Sequence, residues 1–141
     1  MKKIKIINGP NLNMLGKRNE EHYGLMSLDD INNLILKENN NEFEISFFQS
    51  NHEGEIIDEI QNSLDYYAII INAGAYTHTS LAIHDALEIY KGIIIEVHLS
   101  NVDEREDFRK INFIRDLAQI TFQGKKEYSY VDAIKYLKAI K

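Results

Sequence analysis

Two short runs, "AIIIN" at Ala68–Asn72 and "GIIIEV" at Gly92–Val97, constrain the fold more than anything else in the chain. Successive side chains of a strand point to opposite faces, so an unbroken isoleucine run is apolar on both. Such a strand cannot leave one face in water. It belongs in the middle of a sheet covered by helices on both sides, as in parallel α/β proteins. The strands read from these runs are Ala68–Ile71 and Ile93–Leu99; Lys3–Ile7 and Phe43–Phe48 read as further strands, and Ala118–Phe122 is a weaker fifth.

Helical patterns alternate with these strands. Ser27 and Asp30 form a capping-box signal ahead of an apolar stripe of Leu28, Ile31, Leu34 and Ile35. Glu53–Leu64 places Ile56, Ile57, Ile60 and Leu64 at helical spacing. Ser80–Tyr90, Asp103–Ile114 and Tyr130–Ile140 complete the set. The order βαβαβαβαβα predicts an α/β fold with a doubly wound, five-stranded parallel sheet of flavodoxin-like order. No linker, repeat or low-complexity stretch divides the 141 residues, so one domain over residues 1–141 is expected.

Composition removes several classes of partner. A net charge of −6 disfavours non-specific contact with nucleic acid. The absence of cysteine excludes disulfides and thiolate chemistry. The basic start "MKKIKIING" leads into an apolar stretch too short for a signal peptide, and no run approaches the roughly 20 apolar residues of a membrane helix. A soluble cytoplasmic protein is the expectation.

Inside the second isoleucine run stand Glu96 and His98, two ionisable groups at i and i+2. They share one face of the strand, close enough for a carboxylate to hold an imidazole, and burying either alone would be costly. Ligands of open α/β sheets bind beyond the carboxyl ends of the strands. Four strands here end in polar clusters: "NGPNLN", "QSNHEGE", "NAGAYTHTS" and "HLSN". Their convergence would put Asn11, His52, Asn72, His78, His98 and Ser100 around one crevice.

Each element also has a plain structural explanation. Asn and Gly after a strand serve turns, most of the tyrosines serve packing, and the charges of "DEREDFRK" serve a solvated helix face. His22 and His84 fit the surface. The Glu96–His98 pair resists this treatment best, because carboxylate-oriented histidines in clefts are a recurrent catalytic device. Nucleotide fingerprints, the G-x-S-x-G elbow and the paired spacings of metal ligands are all absent, and no lysine falls in the strand-end clusters to form a Schiff base.

Taken in order, "INGPNLNMLG", "YG", "QSNHEGEIID", "IINAGAYTHTS", "IEVHLSN" and "REDFR" resemble the type II dehydroquinases. The match runs from Ile4 to Arg109. The resemblance implies a small flavodoxin-like subunit that removes water from 3-dehydroquinate to give 3-dehydroshikimate, in the shikimate pathway or in quinate breakdown. It implies no metal, no Schiff base and no cofactor. Residue by residue, Tyr23 matches the family's base, Arg18 the arginine beside it, His98 the general acid and Glu96 the carboxylate that orients it. Asn11 matches a residue that holds a water near the developing enolate. Asn72, His78, Asp85, Arg109 and the Leu99–Ser100 backbone match substrate-binding positions. The family assembles twelve subunits as four trimers, with Asp85 reaching a neighbour's site.

A tyrosine of ordinary pKa, about 10, is protonated at neutral pH, so a base role requires a nearby cation to favour the anion. Arg18 supplies one, within a Leu15–Gly24 segment bounded by Gly16 and Gly24 that is expected to act as a lid.

Some positions depart from the family pattern. Asn19-Glu20 replaces an acidic residue and proline, and His84 replaces an arginine. Asn112 replaces a serine, and can still donate and accept. The C-terminal "FQGKKEYSYVDAIKYL" lacks the usual glycine-rich turn. Two rivals stand beside the dehydratase. One is a metal-dependent hydrolase or lyase using His52, His78 and His98. The other is a non-catalytic binding module on the same fold.

Overall fold

The computed structural model describes residues 1–17 and 20–141, and Glu20 only in its backbone. Five strands, β1 (Lys3–Asn8), β2 (Glu44–Gln49), β3 (Ala68–Asn72), β4 (Ile93–His98) and β5 (Ile120–Gln123), pair in the order β2-β1-β3-β4-β5. Every pairing is parallel. This is the flavodoxin-like order expected from the alternation of strand and helix patterns.

The isoleucine runs occupy the middle of the sheet and alternate between two cores. Ile4, Ile6, Ile70, Ile95 and Val97 face one side, packed on Ile31 and Ile35 of α2 (Leu28–Asn39) and on Tyr130, Ile134 and Leu137 of α5 (Tyr128–Ile140). Ile7, Ile69, Ile71 and Ile94 face the other, packed on Ile56 and Ile60 of α3 (Glu53–Gln61) and on Ile83 and Leu87 of α4 (Leu81–Ile89). All of these are buried, and each such side chain contributes about 1.5–3 kcal/mol relative to exposure. A four-residue helix, α1 (Glu20–Tyr23), precedes α2.

Helix starts follow local chemistry. The Ser27 hydroxyl accepts from the Asp30 amide at 3.1 Å, and the Asp30 carboxylate accepts from the Ser27 amide at 3.2 Å, a complete capping box. Ser80 caps α4 by accepting from the Ile83 amide at 2.9 Å.

The expected helix over Asp103–Ile114 is not formed. Two 3-10 turns, Val102–Glu104 and Asp107–Arg109, stand in its place. Side chains take backbone groups that a helix would use: Asn101 Oδ1 accepts from the Asp103 amide, and Asn112 Oδ1 accepts from the amides of Ile114 and Arg115. The Phe113 amide donates to the Thr77 carbonyl at 2.8 Å, tying the segment to the loop after β3. Phe108 and Ile111 point outward, so no continuous apolar stripe exists to be buried. No described helix is long and apolar enough to cross a membrane.

Candidate active site

Parallel strands direct their loops to one edge of the sheet, and a cleft of about 550 Å³, counting its open mouth, lies there. The loop after β1 contributes Pro10, Asn11 and Leu12, the end of β3 and its loop Asn72, Gly74, Ala75 and His78, and the end of β4 and its loop His98, Leu99, Ser100, Val102, Arg105 and Arg109. Tyr23 enters from α1.

The loop after β2 does not join them: His52 is absent from the lining, which corrects the expected convergence of four strand ends. β2 is the edge strand beyond β1, so its end serves the neighbouring loop instead. Asn51 Oδ1 accepts from the Asn11 amide at 2.9 Å, and Gln49 Nε2 donates to the Gly9 carbonyl at 3.1 Å. These bonds hold Asn11 at φ 70°, a left-handed conformation that asparagine tolerates.

Glu96 is fully buried behind His98. His98 Nε2 donates to Glu96 Oε2 at 2.6 Å, leaving Nδ1 as the ring nitrogen for the cleft. Asn112 Nδ2 donates to the same oxygen at 2.6 Å, so the asparagine at the departing position both donates and accepts. Thr121, opposite Glu96 on β5, donates to Oε1 at 2.7 Å, and Arg115 Nε at 3.1 Å. Burial by itself would raise the Glu96 carboxyl. The hydrogen bond and charge of His98, with the bonds from Asn112 and Thr121, outweigh it and pull the pKa down to about 2. Glu96 is therefore a fixed anion at neutral pH.

His78 Nδ1 lies 2.6 Å from the Ile111 carbonyl and must donate to it, which leaves Nε2 as an acceptor in the neutral ring. Burial pulls its pKa below the ordinary value. The bond to Ile111 opposes this, while the charges of His98 and Arg109 add to it. Arg109 lines the cleft with its Nε held by Glu106 at 3.0 Å.

Arg105 was not among the residues singled out from the sequence. Its Nη1 donates to the Tyr23 hydroxyl at 2.8 Å and approaches the Ser100 hydroxyl at 3.4 Å. The position falls inside "REDFR", but a helical, solvated interpretation of that segment hides it; the 3-10 turns fold it inward.

Arg18 lies outside the described residues. Asp85 is brought to no part of this cleft: it sits on α4 with its carboxylate exposed beside His84. Among the described residues, only His84, Asp85 and Glu88 bring three potential metal-ligand atoms within 4.8 Å of one another. That group lies outside the cleft, and the triad His52, His78, His98 is not assembled.

Comparison with known proteins gives a consistent picture. The family Dehydroquinase class II matches residues 2–138. The 3-dehydroquinate dehydratase of Francisella philomiragia is 48% identical over 139 residues, covering 95% of each chain. That of Thermotoga petrophila is 44% identical over 137 residues, covering 96% of this chain and 94% of its own. The crystal structure of type II dehydroquinase from Butyrivibrio crossotus superposes with a TM-score of 0.92 at 42% identity, covering 97% of both chains. With the fold, the cleft and these likenesses in agreement, the chain belongs to the class II dehydroquinase family.

Proposed function

We propose that this chain, as one catalytic domain, is a 3-dehydroquinate dehydratase that eliminates water from 3-dehydroquinate to give 3-dehydroshikimate in the shikimate pathway. The observation that carries the proposal is the presence, in one cleft, of two ionisable pairs: Tyr23 held by Arg105, and His98 held by Glu96. An elimination next to a ketone needs a base, an acid and donors for an enolate.

Tyr23 acts as a tyrosinate and takes the proton from the carbon beside the ketone. Arg105, whose Nη1 donates to the Tyr23 hydroxyl oxygen, holds that oxygen in the cleft, and Arg18 is assigned a place beside it by family likeness. The electrons of the broken C–H bond move onto the carbonyl oxygen as an enolate. Asn11, with a water, supplies donors for that oxygen. Collapse of the enolate forms the carbon–carbon double bond and expels the hydroxyl, which leaves as water with a proton from His98. Glu96, ionised throughout, stabilises the imidazolium and fixes the ring. The substrate loses one proton to Tyr23 and its hydroxyl as water with a proton from His98, and transfer of a proton from Tyr23 back to His98 through solvent restores the enzyme.

Asn72, His78, Ser100 and the Leu99–Ser100 backbone hold the substrate's hydroxyl groups, and Arg109 offers a planar fork to its carboxylate. Asp85 serves a neighbouring subunit's cleft, in a cytoplasmic dodecamer of four trimers. No step needs a metal or cofactor.

The test is direct. Purified protein is mixed with 3-dehydroquinate and a chelator, and the ultraviolet absorbance of the conjugated enone is followed. A rise that Tyr23→Phe and His98→Ala abolish supports the scheme; no rise from folded protein overturns it. Light scattering in solution tests the dodecamer separately.

A further inference from the structure

The reaction scheme leaves unused a hydrogen-bonded chain beneath the cleft. Asn8 and Asn72 end β1 and β3 side by side in register. Tyr130, in the first turn of α5 and 1% exposed, reaches both. Its hydroxyl lies 2.5 Å from Asn8 Oδ1 and 3.0 Å from Asn72 Nδ2.

The direction of every bond in this chain is fixed by one backbone group. Asn72 Oδ1 lies 3.2 Å from the Gly74 amide, which can only donate. Oδ1 therefore faces Gly74, and Nδ2 faces Tyr130. The phenol oxygen accepts from Nδ2, so its own proton goes to Asn8 Oδ1. Burial pushes the phenol above its ordinary pKa, against the opposing bond from Asn72, so it keeps that proton. Nδ2 carries two hydrogens. Tyr130 takes one, the other has no acceptor among the described residues, and Asn72 lines the cleft.

We infer that Tyr130 is a positioning residue that locks the Asn72 amide so that it presents a donor N–H to a substrate oxygen. The inference rests on the dehydratase proposal for the identity of that substrate. Without the hydroxyl, a single bond to Gly74 holds the amide, and a buried N–H loses its acceptor. The side chain can then satisfy that N–H only by leaving the geometry the substrate needs. Sequence alone conceals this, because Tyr130 is 58 positions from Asn72.

Tyr130→Phe keeps the ring and removes only the hydroxyl. The KM for 3-dehydroquinate should rise about tenfold while kcat changes less than threefold. In an Asn72→Ala background the same substitution should add less than a twofold rise. A KM unmoved by Tyr130→Phe, or moved equally in both backgrounds, overturns the inference. A second measurement is independent of turnover and of whether the variant folds. In wild-type protein, side-chain amide exchange by NMR should show one Asn72 Nδ2 proton protected and the other fast. Equal, fast exchange of both overturns it. An inactive wild type would sink the dehydratase proposal, and the exchange measurement would still decide the role of Tyr130.

Discussion

The Tyr23 hydroxyl accepts a hydrogen bond of 2.8 Å from Arg105 Nη1, and the Arg105 guanidinium carbon stands 5.3 Å from the centre of the Tyr23 ring. The two residues are 82 positions apart. One belongs to the short helix α1 and the other follows the 3-10 turn after β4, so the contact joins the loop over the cleft to its wall. Arg105→Gln removes the charge and keeps a polar side chain. Its kcat on 3-dehydroquinate should fall about 100-fold, the loss typical of a group that stabilises charge at the reacting centre. Arg105→Lys should recover part of it, because a lysine carries the charge without the planar fork. Steady-state kinetics decide the point: a wild-type kcat in Arg105→Gln would remove Arg105 from the mechanism.

Why Arg105 escaped notice, while Glu96 and His98 did not, is a matter of what kind of physics sets each position. Glu96 and His98 stand out because period-two alternation in a buried strand is local, and two ionisable groups inside an isoleucine run violate it. The sheet order follows from the same local patterns. The segment after β4 is different. Its course is set by side chains bonding to backbone, Asn101 to Asp103 and Asn112 to Arg115, and by the long-range bond from Phe113 to Thr77. Charge spacing alone suggests a helix there. Likewise, nothing local says that the loop after β2 supports Asn11 through Asn51 while His52 stays out of the cleft; that depends on β2 being the edge strand.

Glu96 gives the protein an acid-sensitive core. Its folded pKa of about 2 lies below the ordinary carboxylate value of 4.5. A group depressed in this way adds stability that is fully present above the unfolded value and is lost as pH falls through the folded one. Stability should therefore decline as pH drops from about 5 toward 2. Glu96→Gln should flatten that part of the curve. At neutral pH it should cost about 3 kcal/mol, since His98 and Arg115 lose their shared anion. Urea titrations of both proteins across this range measure it. A Glu96→Gln protein with the same acid dependence would show that other carboxylates dominate.

Gly9 couples the fold to the cleft. A Cβ there would collide with the carbonyl oxygen of Ala73, and that oxygen belongs to backbone that cannot swing aside. The Gly9 amide also donates to the Asn72 carbonyl at 2.8 Å, tying the end of β1 to that of β3. Gly9→Ala should therefore force the two loops apart, displacing Asn11 and Asn72 together. A stability loss of about 2 kcal/mol is expected, of the size seen for overpacking. Turnover should fall at temperatures where the protein remains folded. Calorimetry with kinetics at 15 °C separates the two effects, and a variant that loses stability yet keeps full turnover would show that the loops relax without moving the site.

Lys126, in the turn between β5 and α5, sits in the left-handed region at φ 55°. An L residue there costs roughly 1 kcal/mol that a glycine does not. The lysine uses the position: its Nζ donates to the Glu21 carbonyl at 2.6 Å, and its Cδ borders Gly24, so it braces the helix that carries Tyr23 from both ends. Two substitutions separate strain from brace. Lys126→Gly removes both, and should leave thermal stability equal to wild type or higher. Lys126→Met keeps the strained backbone and loses only the brace, and should be the less stable of the two. If the brace holds Tyr23 in place for proton abstraction, both variants should lose turnover several-fold, to the same extent. Full turnover in Lys126→Met would mean that Arg105 suffices to position the phenol.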